Sequence, residues 1–568
     1  MFIHRHHKSS AKAKSGKKPE LISHLSVFLL AGFMAVLFFA VAANEGSSSS
    51  FKSKARGYSD LTVSEHTSFS SSSLKYGDQN SAGLSANNNS FDSQELTGRK
   101  KIEQLIAEEK LQSAAEECAT LRQEAQKAND LTLWTWALIT EAQLRAAVGE
   151  IEKAVGLLMT EPWPASPLER DLLSLFYGKS LFDYFGSNSW EISQREQLGG
   201  INRHSTDLST WTKDEFSAEI WEAFLTAWKD RNRLASARIS DFPDFWEAGN
   251  YPSGVRDTLR DAVVYELRHF LIDSSFWTPG QANGIWRLDL NRFLSSAGKT
   301  SGKEALRIIT SPTTHPLEKA VAILSEHENW CRRSGRLEAS LEARFELVQT
   351  LYMFFEGEDD QAAIRRHLEN YLASPANSRL PWWAMGQAQL AYWVMREDSP
   401  DAPIRAREIA LKGAKRFPLS WGGYKCLQIV KDIERPEFWI ETMRTDLPGR
   451  RSIRITHRNL EHLYFRAFAI DRESVLQKFM NSVPWDFSSV IKGKERAKIL
   501  AARRPDVSWV VNLEKRGDYR NHTTYSGLSS DLKTGFYLVV ASAREDFALD
   551  SNKIIGFLVS LSNLAVLA

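Results

Sequence analysis

Three clusters in this 568-residue chain carry residue types suited to chemistry. Gly298-Lys299-Thr300 has the closing residues of a phosphate-binding loop, where backbone N–H groups and a lysine cradle phosphate oxygens. That loop needs a glycine five positions before Gly298, and Phe293 stands there. Glu356, Glu358, Asp359 and Asp360 gather carboxylates of the kind a hard cation takes. Their plainer reading is helix entry, because acids favour the positive end of the helix dipole. His4, His6 and His7 offer imidazoles on a basic flank, with no carboxylate or fixed geometry beside them. No His-Glu-x-x-His, Gly-x-Ser-x-Gly or Cys-x-x-Cys occurs in the chain. No catalytic, cofactor-binding or metal-ligating residue is therefore assigned, no cofactor is expected, and the chain is not expected to be an enzyme.

Cys118, Cys331 and Cys426 all fall in helical, partly apolar surroundings. Three cysteines are too few for a disulfide framework, and an odd number leaves one over. They read as small buried hydrophobes, with a single disulfide as the alternative. The charge balance is +2 with both signs interspersed, so no global basic field argues for nucleic acid. With 43% hydrophobic residues, 18 Trp and 30 Phe, the chain is equipped for helical layers packed through large side chains. The Trp-rich faces read as core before they read as ligand sites.

The elements that position these residues change character once. From Glu95 to about Glu434 apolar residues recur at helical spacing; after Pro436 they alternate or cluster in bursts such as Trp509-Val510-Val511. Trp136, Ala137, Leu144 and Ala147, then a break at Gly149-Glu150, have the small-residue spacing of a tetratricopeptide-like helix pair. The same grammar returns around Trp383, Ala384, Leu390 and Ala391, followed by Ala406 and Ala410, without a strict period. Pro167 opens a further helix in its first turn. Candidate strands cover residues 438–443, 452–456, 463–469, 508–513, 536–541 and 554–560, with a helical insertion over 471–500.

At the other end, an apolar run of about 19 residues begins at Leu25 and closes at Ala43, close to the roughly 20 that span a bilayer. Arg5, Lys8, Lys12, Lys14, Lys17 and Lys18 precede it, which keeps that flank cytoplasmic and exports the rest. Ala40-Val41-Ala42 leaves a cleaved signal peptide as the alternative to an anchor. A Ser- and Asn-rich stretch follows, too polar to offset chain entropy. The expected organisation is a basic flank (1–24), a transmembrane helix or signal peptide (25–43), and a disordered linker (44–94). An α-helical domain (95–435) and a β-sandwich domain (436–568) complete it. The expected place is extracytoplasmic, membrane-anchored if the run is kept or secreted if it is cleaved. The uncharged apolar run from Phe557 to Ala568 leads us to expect the front of a longer protein.

Several stretches together resemble the N-terminal region of the bacterial alpha-2-macroglobulin family, large exported proteins that trap proteases. They are Trp163-Pro164-Ala165-Ser166-Pro167-Leu168-Glu169-Arg170-Asp171, Asp207-Leu208-Ser209-Thr210-Trp211-Thr212, Tyr251-Pro252 leading to Leu259-Arg260-Asp261-Ala262, Arg416-Phe417-Pro418-Leu419-Ser420, and Gly535-Phe536-Tyr537-Leu538-Val539-Val540. The resemblance implies a helical module followed by a first macroglobulin-type β-sandwich, placed in the bacterial cell envelope with the anchor in the inner membrane. It departs from the family at the reactive thioester, which needs Cys-x-Glu-Gln. Cys118-Ala119-Thr120, Cys331-Arg332-Arg333 and Cys426-Leu427-Gln428 all fail that pattern. The expected function is the anchoring and scaffolding front of such an inhibitor, lacking bait and thioester regions. The alternative is a membrane-tethered helical-repeat adaptor for a periplasmic protein. Expected partners are proteins, plus the membrane through the Leu25 to Ala43 run, with no nucleic acid.

Overall fold

The helical spacing is realised as seventeen α-helices, and the alternating stretch as seven strands, in a computed structural model that describes residues 91–195, 206–245, 251–442, 452–470, 504–548 and 552–561. In chain order the helices are α1 (Phe91–Ala107), α2 (Leu111–Ala128), α3 (Leu131–Ala147), α4 (Ile151–Thr160), α5 (Pro167–Ser193), α6 (Lys213–Lys229), α7 (Arg231–Leu234), α8 (Leu259–Ile272) and α9 (Pro279–Ala282). Then come α10 (Leu290–Ser296), α11 (Gly302–Thr310), α12 (Pro316–Arg333), α13 (Leu337–Phe354), α14 (Glu358–Ala373), α15 (Trp383–Val394), α16 (Ala402–Arg416) and α17 (Trp421–Glu434). The strands are β1 (Glu437–Thr442), β2 (Ser452–Arg458), β3 (His462–Ile470), β4 (Val507–Asn512), β5 (His522–Gly527), β6 (Gly535–Ser542) and β7 (Ile554–Leu561). Two compact units result: Met1–Asp289 with Gly298–Asn329, and Leu290–Ala297 with Trp330–Ala568.

In the first unit, local chemistry sets where helices begin. Asn129 takes a left-handed φ of 55° to end α2, and Asp130 Oδ1 accepts the Leu133 N–H at 3.0 Å to start α3. Pro167 occupies the first position of α5, where its missing N–H leaves no bond unmade. Thr212 with Glu215, and Thr258 with Asp261, form reciprocal capping boxes for α6 and α8. Small residues of α2 (Ala114, Ala115, Cys118) then lie against Leu133, Trp136, Ala137 and Leu144 of α3 in one core. Aromatic packing joins α5, α6 and α8: Phe185 stands 4.1 Å from Phe276 and 6.0 Å from Phe216, and Phe270 lies 5.1 Å from Phe276, centroid to centroid.

The second unit mixes helices and sheets. Tyr352 of α13 stacks on Trp393 of α15 at 4.2 Å, and Trp382 Nε1 donates to Glu342 at 2.7 Å. Helices α15, α16 and α17 close over Ala388, Ala391, Ala410, Cys426 and Val430, whose small size lets the backbones approach. Beyond Pro436 the strands form two antiparallel sheets, β1-β2-β5 and β4-β3-β6-β7. Both sheets contribute to one core: Phe438, Ile453 and Ile455 from the first, and Leu463, Phe465, Val511, Val539 and Val559 from the second. The join between helix and sheet is made by Asn459, whose Nδ2 donates to the Ile433 carbonyl at 2.7 Å and the Arg435 carbonyl at 3.2 Å. Among the described residues, β1 and β5 in the first sheet and β4 and β7 in the second each border a strand on one side only.

The expected architecture is corrected in two respects. The Leu25 to Ala43 run, expected as a transmembrane helix and as the membrane contact, lies outside the described residues. Among those described, no helix is long and apolar enough to cross a membrane. The longest, α5, carries Glu169, Arg170, Asp171, Lys179, Asp183 and Glu191 along its 27 residues, charges a bilayer would not accept. Nor do the sheets form a unit of their own, although every described strand follows the last described helix along the chain. Helices 337–434 belong to the same unit as the sheets, and short 3-10 turns such as Ser274–Phe276 and Ile285–Arg287 interrupt any tetratricopeptide-like array. Helix α1 starts at Phe91, inside the stretch expected as linker; the rest of that linker and the 471–500 insertion lie outside the described residues.

Candidate interaction surface

The motifs singled out for chemistry are occupied by packing. Thr300, buried, donates its hydroxyl to Ser325 Oγ at 2.8 Å, and Asn329 Nδ2 donates to the Thr300 carbonyl at 3.1 Å. Ser301 accepts the Glu304 N–H to cap α11. The Gly298-Lys299-Thr300 loop is thus pinned against α12 and offers phosphate no cradle. Glu358, Asp359 and Asp360 occupy the first turn of α14 with Glu356 just before them, as dipole stabilisation places them. His4, His6 and His7 lie outside the described residues. All three cysteines are buried and none is in a disulfide. Burial, with Glu141 and Glu117 nearby, pushes the Cys118 thiol up; burial alone pushes Cys426 up to about 12, so neither is poised as a nucleophile.

The first unit also buries charges that helical periodicity would have assigned to solvent. Arg260 Nη2 donates to both oxygens of Glu326 at 2.9 Å, while its Nη1 donates to Asn232 Oδ1 at 2.6 Å. Arg231 approaches the same carboxylate at 3.4 Å and lays its guanidinium 3.6 Å from the Trp228 ring centroid. Next to Arg260, Asp261 Oδ1 meets His327 Nε2 at 3.0 Å, and Asp261 Oδ2 accepts from the N–H groups of Asp257 and Thr258 and from the Thr258 hydroxyl. These contacts tie α8 to α12, and Asp261, His327 and the buried Cys331 bring three possible ligand atoms within 4.8 Å of one another. A further cluster, Lys179 with Asp183 at 2.6 Å, faces Glu266. Burial raises the Glu266 pKa against the pull of Lys179. Each cluster pairs opposite charges within the fold and reads as structure.

Among the described residues, one surface that packing leaves unexplained is on α17, where several large apolar side chains gather. Ser420 Oγ accepts the Gly423 N–H at 3.0 Å to start the helix. Gly422 and Gly423 then turn inward because nothing larger fits. A Cβ at Gly422 would collide with the Met385 nitrogen, and one at Gly423 with the Phe417 carbonyl oxygen. Cys426 continues the inner face and donates its thiol to the Ala384 carbonyl at 3.2 Å; Val430 and Ile433 complete it. With that face fixed, Trp421, Tyr424 and Leu427 must point outward, where they are 40%, 46% and 41% exposed. Leu419, in the connection before the helix, is wholly exposed. The Trp421 and Tyr424 rings stack 6.0 Å apart, forming a firm aromatic plate on the surface. Lys425 holds its ammonium 5.7 Å from the Trp421 ring.

The tryptophan-rich faces, expected as core, are core at Trp228, Trp382 and Trp393 but not at Trp190, Trp286, Trp421 or Trp439. The signal at Trp421 is the adjacent Gly422-Gly423 pair, which turns the inner face away from Trp421 and Tyr424. No protein-family model matches this chain, and no curated protein and no solved structure matches it.

Proposed function

We propose that this chain is a protein-binding scaffold that offers the outer face of α17 to a partner chain. The carrying observation is the exposed set Leu419, Trp421, Tyr424 and Leu427 on a helix whose opposite face is closed by glycines. A merely solvated helix would fill such positions with charged side chains. Stacked aromatic rings at a surface carry large contact area at low side-chain entropy, which suits an interface. Photo-crosslinking from position 424 of the full chain, in its native cells, is the test. The expected result is one defined partner, which then forms a stoichiometric complex with the purified chain. Crosslinks no different from those at the exposed Lys127 of α2, or no complex with the purified partner, would remove the reading.

A second reading follows the resemblance: the scaffolding front of a macroglobulin-type protease inhibitor. Its support is the set of seven antiparallel strands in two sheets that comes directly after the helices. Reading the gene past the Ala568 codon tests it, since the absence of further macroglobulin-type domains there would leave the inhibitor without its trap.

A further inference from the structure

Resting on that reading, we propose that the α17 face docks an acidic peptide segment of a partner chain that carries its own apolar anchors. The apolar half of the argument is the plate of Trp421 and Tyr424 with Leu419 and Leu427 beside it. The electrostatic half is that residues 409–431 hold no carboxylate at all but carry Lys412, Lys415, Arg416, Lys425 and Lys431.

Their placement follows from helix geometry. Lys425 lies one turn after Trp421 on the same face, and Lys431 two turns after Tyr424. Lys415 and Arg416 close the last turn of α16, immediately before the connection that exposes Leu419. Neighbouring arginines are neutralised within the fold: Arg405 by Glu397 and Asp401, Arg407 by Glu434, and Arg435 by Asp432. Those pairs engage the nearest acids, Asp432 and Glu434. Among the described residues none of the five cations of residues 409–431 is in an ion pair; Arg416 and Lys425 instead lie over the Trp383 and Trp421 rings. The result is an aromatic plate with Lys425 beside it and Lys431 on the same helix, and with Lys415 and Arg416 just before its connection, none of them in an ion pair among the described residues. A matching ligand brings carboxylates to the rim and Leu, Phe or similar side chains to the plate, as amphipathic segments do.

The test is fluorescence anisotropy of the full chain with a labelled amphipathic peptide of about 15 residues, Leu and Phe on one helical face and Glu on the other. Saturable binding is expected, weakening at least tenfold when salt rises from about 50 to about 500 mM. The same peptide with Lys for Glu should not bind. Trp421→Ser with Tyr424→Ser should weaken binding about 30-fold. Lys415→Gln with Arg416→Gln should weaken it and flatten the salt dependence. Leu419→Ser lies outside the helix, so it keeps the test valid should the double aromatic variant misfold. Equal binding of both peptides, or binding indifferent to these substitutions, overturns the acidic-partner proposal while leaving a protein-binding role standing. So does binding to phosphatidylserine vesicles in place of the peptide, or binding to neither. Failure of the crosslinking experiment from position 424, by contrast, removes the underlying reading.

Discussion

Arg260 and Glu326 meet in full burial, with one guanidinium nitrogen of Arg260 2.9 Å from both carboxylate oxygens. Glu326 also receives Arg231, so one carboxylate answers two buried cations. Removing it strands both, and the uncompensated charge dominates the outcome. Glu326→Ala is expected to destabilise the protein by about 3–5 kcal/mol, read from urea unfolding followed by circular dichroism. Replacing Arg231, Arg260 and Glu326 together with apolar residues of similar volume should cost much less. If the single and triple replacements cost the same, the cluster does not act as a charge unit.

The glycines that orient α17 make a second prediction. Gly423→Ala directs a methyl group into the Phe417 carbonyl oxygen, and Gly422→Ala directs one into the Met385 backbone. Backbone atoms cannot swing aside as a side-chain tip does, so each change should cost about 1–3 kcal/mol or more. Thermal melts measure it. An unchanged melting temperature for either would mean that α17 lies farther from α15 and from its own connecting loop.

The thiols give a third. Cys118 and Cys426 are buried with raised pKa values, so at pH 8 neither should react with Ellman's reagent in the folded protein. Both should react once denaturant is added. Fast labelling of either in native buffer would show that its surroundings open readily.

A fourth concerns acid. His457 is buried in β2, with Nε2 3.0 Å from Thr524 Oγ1 of β5, and burial followed by the charges of His522 and Arg516 holds its pKa below 6.5. The folded chain therefore binds fewer protons than the unfolded chain in the window below 6.5. Stability from this residue is intact above pH 6.5 and is lost as pH falls through the lower, folded value. Unfolding midpoints measured across that window should decline, and His457→Gln should flatten the decline. Identical pH profiles for the variant and the parent would refute it.

Much of the strand layout is readable from alternation, because β2 and β3 bury every second residue: Ile453 and Ile455, then Leu463, Phe465 and Ala467. Strand β5 escapes that reading, since His522, Thr523, Thr524, Tyr525 and Ser526 form a polar edge that pairs with β2 without filling the core. The Arg231–Arg260–Glu326 cluster is invisible for a different reason. Periodicity assigns charge to solvent, and only the tertiary approach of α8 and α12, 66 residues apart at Arg260 and Glu326, reverses that. Trp421 and Tyr424 are hidden in the opposite sense. A tryptophan reads as core until the space around Gly422 and Gly423 shows which way the helix must face.

The unequal borders of the two sheets carry a practical consequence. β5 presents threonine, histidine and serine along its open side, a make-up that discourages a foreign strand from annealing. β7 is the reverse: six of its eight residues are Ile, Phe, Leu or Val. Its outer backbone faces no partner among the described residues. Self-association at high concentration should therefore begin at β7 or at β4, the other open and apolar edge of the same sheet, and a lysine introduced on each is the change suited to keeping the protein monodisperse.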